Sequence, residues 1–296
     1  MIDLRLAIDK LSAISVRDGN KPVLRRVSLT VGTGEVHGLV GESGAGKSTI
    51  AKAILGIIPS QVRITGGCID FEGTDLLKLS SRGLRAVLGR DIALIPQDPL
   101  TALNPARRID AQMTDGLRLK RGLSAKQARM RALELLEEVQ IRDPERVLVS
   151  YPHQLSGGMR QRVLIAAAFG LEPKLVIADE PTTALDVTVQ KQILRLIRAL
   201  QERHGTSVLF VSHDLGVVAK ICDRVTVLYM GKVVEQGATA EVLTTPHHAY
   251  TKALLAANPR YDQPDTGLEP TPLEVISALR AEISAFDVSL LEARDG

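Results

Sequence analysis

Gly41-Glu42-Ser43-Gly44-Ala45-Gly46-Lys47-Ser48-Thr49 satisfies the pattern G-x-x-x-x-G-K-[ST] in full, and that residue set is suited to holding phosphate. Glycines at 41, 44 and 46 let the backbone curl until several N–H groups point at one anion, and a helix starting there adds the positive end of its dipole. The Lys47 ammonium can reach β- and γ-phosphates, while the Ser48 hydroxyl can ligate a Mg²⁺ that also touches them. Gln97, the pair Asp179-Glu180 and His213 add the groups that nucleotide hydrolysis uses. An Asp can hold the shell of the magnesium ion, a neighbouring Glu can orient or deprotonate a water, and a Gln or His can contact that water or the γ-phosphate. Taken singly, Gln97 is a loop polar residue, His213 a strand-end histidine and Asp186 a helix cap. Their joint occurrence argues for a catalytic site. A second anion-seeking design stands at Leu155-Ser156-Gly157-Gly158-Met159-Arg160-Gln161-Arg162, where a Ser and two glycines open an Ala-rich helix.

The surrounding elements put these groups where the chemistry needs them. Val36 to Val40 reads as a buried strand before the glycine loop, and Ile50 to Leu55 as an apolar helix after it. Ile92 to Ile95, Leu175 to Ala178 and Ser207 to Val211 read as further strands, followed by Gln97, Asp179-Glu180 and His213 respectively. In parallel sheets ligands bind outside the carboxyl ends of the strands, so these residues are expected along the edge from which the glycine loop projects. Strands alternating with helices predict a mostly parallel sheet with right-handed crossovers. Upstream, Leu11 to Val16 and Val27 to Val31 are short strand-like runs between Gly- and Asn-rich turns, and Cys68 to Phe71 is another.

From about Thr101 to Val149 the chain turns charged and helix-favouring. Ser124 to Gln127 resembles a capping box opening a helix with Ala128, Ala132, Leu135, Leu136 and Val139 on one face. Asp186 caps another, with Val189, Ile193, Leu196, Ile197 and Leu200 buried and Gly205 as its stop. Residues 225 to 237 predict a strand pair turning at Met230-Gly231-Lys232. Beyond Pro259 comes a Pro/Asp/Gly-rich linker, then Thr271-Pro272-Leu273-Glu274 as the start of an amphipathic helix striped by Ile276, Leu279, Ile283 and Phe286.

With 296 residues, 45% of them hydrophobic, the chain can fill one large α/β domain or two modest ones. Lys plus Arg number 37 against 34 Asp plus Glu, so a net +3 gives weak steering and no case for nucleic acid as partner. Aromatic residues at 3%, with no Trp, also argue against a base-stacking surface. Cys68 and Cys222 show no CxxC or Cys/His spacing, which predicts neither a disulfide framework nor a zinc site. The start lacks a basic stretch leading into an apolar segment, and the longest apolar run, Val163 to Leu171, falls short of a ~20-residue membrane span. The expectation is a soluble cytosolic chain whose membrane role comes through partners.

In motif content the sequence resembles the ATP-binding-cassette (ABC) family over roughly residues 6 to 255. The LSGG of Leu155 to Gly158 is followed by LVIADEP, TTALD and SHD in the family's order. The resemblance implies an α/β fold: a P-loop nucleotide-binding domain over residues 1–258 with an N-terminal antiparallel β-subdomain and a helical subdomain at about 99–158. A short C-terminal extension, 259–296, follows. It implies ATP and Mg²⁺ as cofactors, with Gly41 to Thr49 holding phosphates, Ser48, Gln97 and Asp179 around the metal, and Glu180 as catalytic carboxylate. Lys47 and Gln97 join it in catalysis, His213 looks like the switch histidine, and Asp186 communicates across a dimer. Ser156, Gly157 and Gly158 would cap the γ-phosphate of a nucleotide bound on another subunit, so a second ATPase subunit, identical or homologous, is implied. Family members usually stack the adenine on an aromatic residue near the first strand, but none precedes Phe71 here. Ile14 to Asp18 is therefore expected to face the base, with Val16 as aliphatic contact.

Gln97 to Pro105 and Thr245 to Leu255 are similar to dipeptide, oligopeptide and nickel import ATPases. That resemblance implies ATP-driven import through two membrane-spanning permease subunits. The chain would sit peripherally on the cytoplasmic face of the inner membrane, and an extracytoplasmic solute-binding protein would act indirectly. Some such importers carry a tail cysteine cluster, and this chain departs from them in having no cysteine after Cys222. His247-His248, lacking a third ligand, read as an ordinary loop rather than a metal site. The rival reading, a soluble ABC protein acting on DNA or ribosomes, usually comes with tandem cassettes, a long coiled coil or zinc modules, none of which is seen in this sequence.

Overall fold

A computed structural model describes residues 3–183, 185–257 and 273–295. The linker predicted beyond Pro259, with its Thr271-Pro272 helix start, lies outside them. Along the chain run β1 (Leu4–Ser15), β2 (Lys21–Gly32), β3 (Val36–Val40), α1 (Lys47–Ile54), β4 (Val62–Phe71), β5 (Thr74–Asp75), α2 (Ser81–Val87) and β6 (Ile92–Ile95). Next come α3 (Pro99–Ala102), α4 (Ile109–Arg121), α5 (Ala125–Glu138), α6 (Pro144–Val149), α7 (Gly157–Phe169), β7 (Leu175–Asp179) and α8 (Val187–His204). The chain continues through β8 (Ser207–Ser212), α9 (Leu215–Ile221), β9 (Arg224–Tyr229), β10 (Lys232–Ala238), α10 (Thr239–Thr244), α11 (Ala249–Ala256) and α12 (Leu273–Asp295). Among the described residues no helix is long and apolar enough to cross a membrane.

The chain packs as two compact units. One gathers Lys78–Phe210 with Met1–Arg5 and Val31–Glu35; the other gathers Leu6–Thr30, Val36–Leu77 and Val211–Gly296. In the first, β6 and β7 run parallel from Ile92 opposite Leu175 to Ile95 opposite Ala178, with β8 on the far side of β7. Leu175 to Ala178 are fully buried, so this pair reads as a continuous apolar run rather than an alternating one. The helices α2 to α8 belong to the same unit. The Ser124–Gln127 capping box forms reciprocally, and Ala128, Ala132, Leu135, Leu136 and Val139 are all buried. Asp186 accepts from the Thr188 and Val189 N–H groups, and Gly205 ends α8 at φ 61°, a left-handed cap that favours glycine.

The second unit holds an antiparallel sheet ordered β2-β1-β4-β5 and the strands β10-β9-β3. β3 runs parallel to β9, and β10 folds back antiparallel. The sequence predicts short runs near the start; the structure has two twelve-residue strands instead. The reason is a bulge at Lys10, φ 49°, where the β1–β4 register slips between Asp9 and Ser12. One extra residue reverses the in/out alternation, so Leu6, Ile8, Leu11 and Ala13 are all buried despite their broken parity. Arg26, also at φ 49°, sits between buried Leu24 and Val27 in β2 in the same manner. The β9–β10 turn places Met230 at φ 44° and Gly231 at φ 77°, as a tight hairpin turn with two positive φ values requires.

Candidate nucleotide site

The glycine loop leaves β3, whose five residues are all buried, and runs straight into α1. Gly41, Gly44 and Gly46 lie at φ 153°, 82° and 104°, which L side chains rarely adopt. A Cβ on Gly41 would stand 2.1 Å from the Leu228 carbonyl oxygen, and one on Gly46 2.8 Å from Leu24 Cδ2. Those glycines are needed for space as well as for φ; at Gly44, with open space around it, only φ demands one. Gly46 caps α1 without any side-chain hydrogen bond, so the first-turn amides keep no built-in acceptor from that position and suit an anion. The Lys47 side chain is buried, and its ammonium donates to the Gly41 and Glu42 carbonyls at 2.7 and 2.9 Å. It is thereby folded over the loop, where it and the loop amides would donate to the same phosphate. Ser48 and Thr49 follow in the first turn of α1, half-buried.

Sequence reasoning missed what braces this loop. Tyr250 of α11, almost fully buried, accepts a hydrogen bond from the Glu42 N–H at 3.1 Å. Burial pushes its hydroxyl above the ordinary phenol value, so it stays protonated. Tyr250 lies in the Thr245–Leu255 stretch, but no local signal links it to Glu42, 208 residues upstream. His213, exposed, lies between the end of β8 and Asp214, the cap of α9, in this same unit. Val16, 46% exposed, directly follows β1, with its N–H on the Gln61 carbonyl at 2.8 Å.

In the other unit β7 delivers Asp179 and Glu180, both half-buried. Glu180 has φ 48°, an uncommon left-handed backbone for a non-glycine residue that costs of order 1–3 kcal/mol and is found where side-chain aim matters. Its carboxylate accepts from Gln97 Nε2 at 3.1 Å and from Thr183 Oγ1 at 3.0 Å, both on Oε2. The structure thus brings Gln97 and Glu180 together across the β6 and β7 ends and adds Thr183, whose i+3 spacing from Glu180 was the available clue. Ser156 caps α7, accepting from the Met159 N–H at 3.3 Å, and is exposed with Gly157. A Cβ on Gly158 would meet Val189 Cγ1 at 3.2 Å, so the start of α7 abuts the start of α8 that Asp186 caps. Gly158 of the predicted signature thus lies against the first turn of the helix that Asp186 caps. Among the described residues no cluster of three or more His, Cys, Asp and Glu could hold a metal. The Ser48 hydroxyl and the Asp179 carboxylate are each the kind of hard oxygen donor that Mg²⁺ takes.

Residues 24–183 match the ABC transporter family. The chain belongs to the ABC transporter family. This ABC cassette is an ATP-binding ATPase with an α/β fold, an N-terminal antiparallel sheet and a helical insert. Its residues 234–284 also match the oligopeptide/dipeptide transporter C-terminal region. The cassette is 48% identical over 256 residues to the probable D,D-dipeptide transport ATP-binding protein DdpD of Escherichia coli K12, covering 86% of this chain and 78% of that protein. It is 50% identical over 263 residues to the peptidoglycan transport ATP-binding protein YejF of Agrobacterium fabrum, covering 88% of this chain but 47% of that relative. The cassette thus spans about half the length of that protein. Among solved structures, a dimeric ATP-binding cassette in a post-hydrolysis state bound to ADP and Pi superposes with TM-score 0.70 at 29% identity, over 79% of this chain and 98% of that one.

Proposed function

We propose that this ABC ATPase energises import of peptides, or of a related small solute such as nickel, through two separate membrane-spanning permease subunits. It works with a second ABC ATPase subunit, identical or homologous, and indirectly with an extracytoplasmic solute-binding protein. Its place is the cytoplasmic face of the inner membrane, bound peripherally. The observation that carries the peptide reading is the match of residues 234–284 to the oligopeptide/dipeptide transporter C-terminal region behind a cassette match at 24–183. The relatives compared above carry transport names, which favours import over action on DNA or ribosomes. Residues 1–258 are taken as the nucleotide-binding domain and 259–296 as its extension.

In this reading Lys47 and the loop from Gly41 to Thr49 hold the phosphates, and Ser48 with Asp179 and Gln97 surrounds Mg²⁺. The metal, when bound, neutralises phosphate charge. Glu180, held by Gln97 and Thr183, orients the attacking water and accepts its proton. His213 contacts the γ-phosphate side, and Ser156 to Gly158 and Asp186 act across a dimer. Glu180→Gln should retain ATP binding and lower turnover by about 10²–10⁴-fold, because the amide keeps the shape without the charge. ATP hydrolysis and peptide uptake measured in the assembled complex check this, and unchanged turnover would remove Glu180 from its role.

A further inference from the structure

The glycine loop is held from behind by a relay that ends on α12. The Gly231 N–H donates to the Ala45 carbonyl at 2.8 Å, and the Gly231 carbonyl accepts from the Arg25 N–H at 2.7 Å. A Cβ on Gly231 would stand 2.1 Å from the Val23 carbonyl oxygen, so the turn is pressed directly onto β2. The Arg25 side chain, 7% exposed, donates from Nη1 to the Met230 and Pro22 carbonyls. Its other edge forms a two-point pair with Asp287 of α12, Nε to Oδ1 at 2.7 Å and Nη2 to Oδ2 at 2.9 Å. A bidentate carboxylate fixes the plane of a guanidinium as well as its position. Asp287 thereby sets Arg25, Arg25 sets the Met230–Gly231 turn, and the turn sets Ala45 between the glycines of the phosphate loop.

We propose that Asp287 is a positioning residue for phosphate binding, acting through Arg25 and the β9–β10 turn on the loop at Ala45. This rests on the phosphate-loop reading above. α12 has other anchors: Leu279 and Ile283 are buried, Lys232 Nζ pairs with Glu282 at 2.7 Å, and the same ammonium lies 4.7 Å from the Phe286 ring centre. The helix is therefore expected to stay docked when Asp287 loses its charge, which separates positioning from mere attachment.

The test uses the full chain with MgATP and with magnesium pyrophosphate, a probe that engages the loop without a base or ribose. Asp287→Asn should weaken both by the same factor, roughly three- to thirtyfold, the range of couplings that act through an intervening element. Glu282→Gln, which strips the contacts to Lys232 and His248 from the same helix and leaves Asp287 on Arg25, should lower the thermal midpoint yet leave pyrophosphate affinity unchanged. Wild-type affinity in Asp287→Asn, or an equal loss in Glu282→Gln, overturns the proposal. Should Asp287→Asn fail to fold, Arg25→Lys is read in its place, since lysine cannot span Asp287 and the Met230 carbonyl together; full affinity there overturns it. A wild-type chain that binds neither probe, or binds them as well after Lys47→Ala, instead overturns the phosphate-loop reading and this inference with it.

Discussion

Glu180 shows how much of a site rests on single residues. A left-handed φ of 48° and two hydrogen bonds on one carboxylate oxygen fix its direction before any ligand arrives, which is preorganisation in its simplest form. Lys47 is treated likewise, its ammonium tied to two carbonyls of its own loop in place of water. The position proposed to face the base is built differently. Val16 is exposed at the end of β1, and no aromatic side chain precedes Phe71. Stacking of a base on an aromatic ring is worth ~1–3 kcal/mol, so the wild type should discriminate only modestly between ATP and GTP, and Val16→Tyr should tighten ATP binding. Titration of both nucleotides against both proteins decides it: strong ATP preference in the wild type, or no gain from tyrosine, assigns the base to another contact.

At the scale of elements, caps do much of the placing. Ser124 and Gln127 satisfy two orphan amides of α5 reciprocally, and Asp186 does the same for two amides of α8. Ser124→Ala should lower the unfolding free energy by about 1 kcal/mol without changing nucleotide affinity, since α5 carries no residue assigned to the site. Denaturant melts and ATP titration of the same variant check both halves, and a loss of affinity would show that α5 does more than fill the helical insert. α12 is the contrasting element. It is held by two buried apolar side chains, each worth ~1.5–3 kcal/mol when fully buried, and by ion pairs at Arg25 and Lys232. That combination docks it in one rotational setting, with Asp287 on Arg25.

For the whole molecule the decisive expectation concerns a second copy of the cassette. Ser156 and Gly157 stand exposed at the start of α7, with nothing within 4 Å of a Cβ built on Gly157. Under the shared-site proposal, Ser156→Arg should abolish hydrolysis while leaving ATP bound to the same chain, because a bulky cation at that helix start blocks contact with the partner's γ-phosphate. The isolated chain should also be a poor ATPase, with activity rising steeply with concentration. Full activity in dilute monomer together with a silent Ser156→Arg would show that the cassette completes its site alone.

What the sequence determined by itself is what depends on neighbours a few residues apart. The glycine loop, the Ser156, Ser124 and Asp186 caps, the Gly205 stop and the apolar runs of β3, β6, β7 and β8 are all written in spacings that fix local φ/ψ, capping or burial. Gln97, Asp179, Glu180 and His213 could be assigned to strand ends because each closes such a run or follows it within two residues. The tertiary structure decided what those spacings do not encode. The bulge at Lys10 and the left-handed backbone at Arg26 were hidden because such irregularities break the alternation that strand reading relies on. Tyr250 on Glu42, and Asp287 on Arg25 across 262 residues, join positions whose separation carries no periodic signal. Only packing brings such groups within hydrogen-bond reach, and a buried guanidinium or an amide facing the core is stable only where packing also supplies its partner.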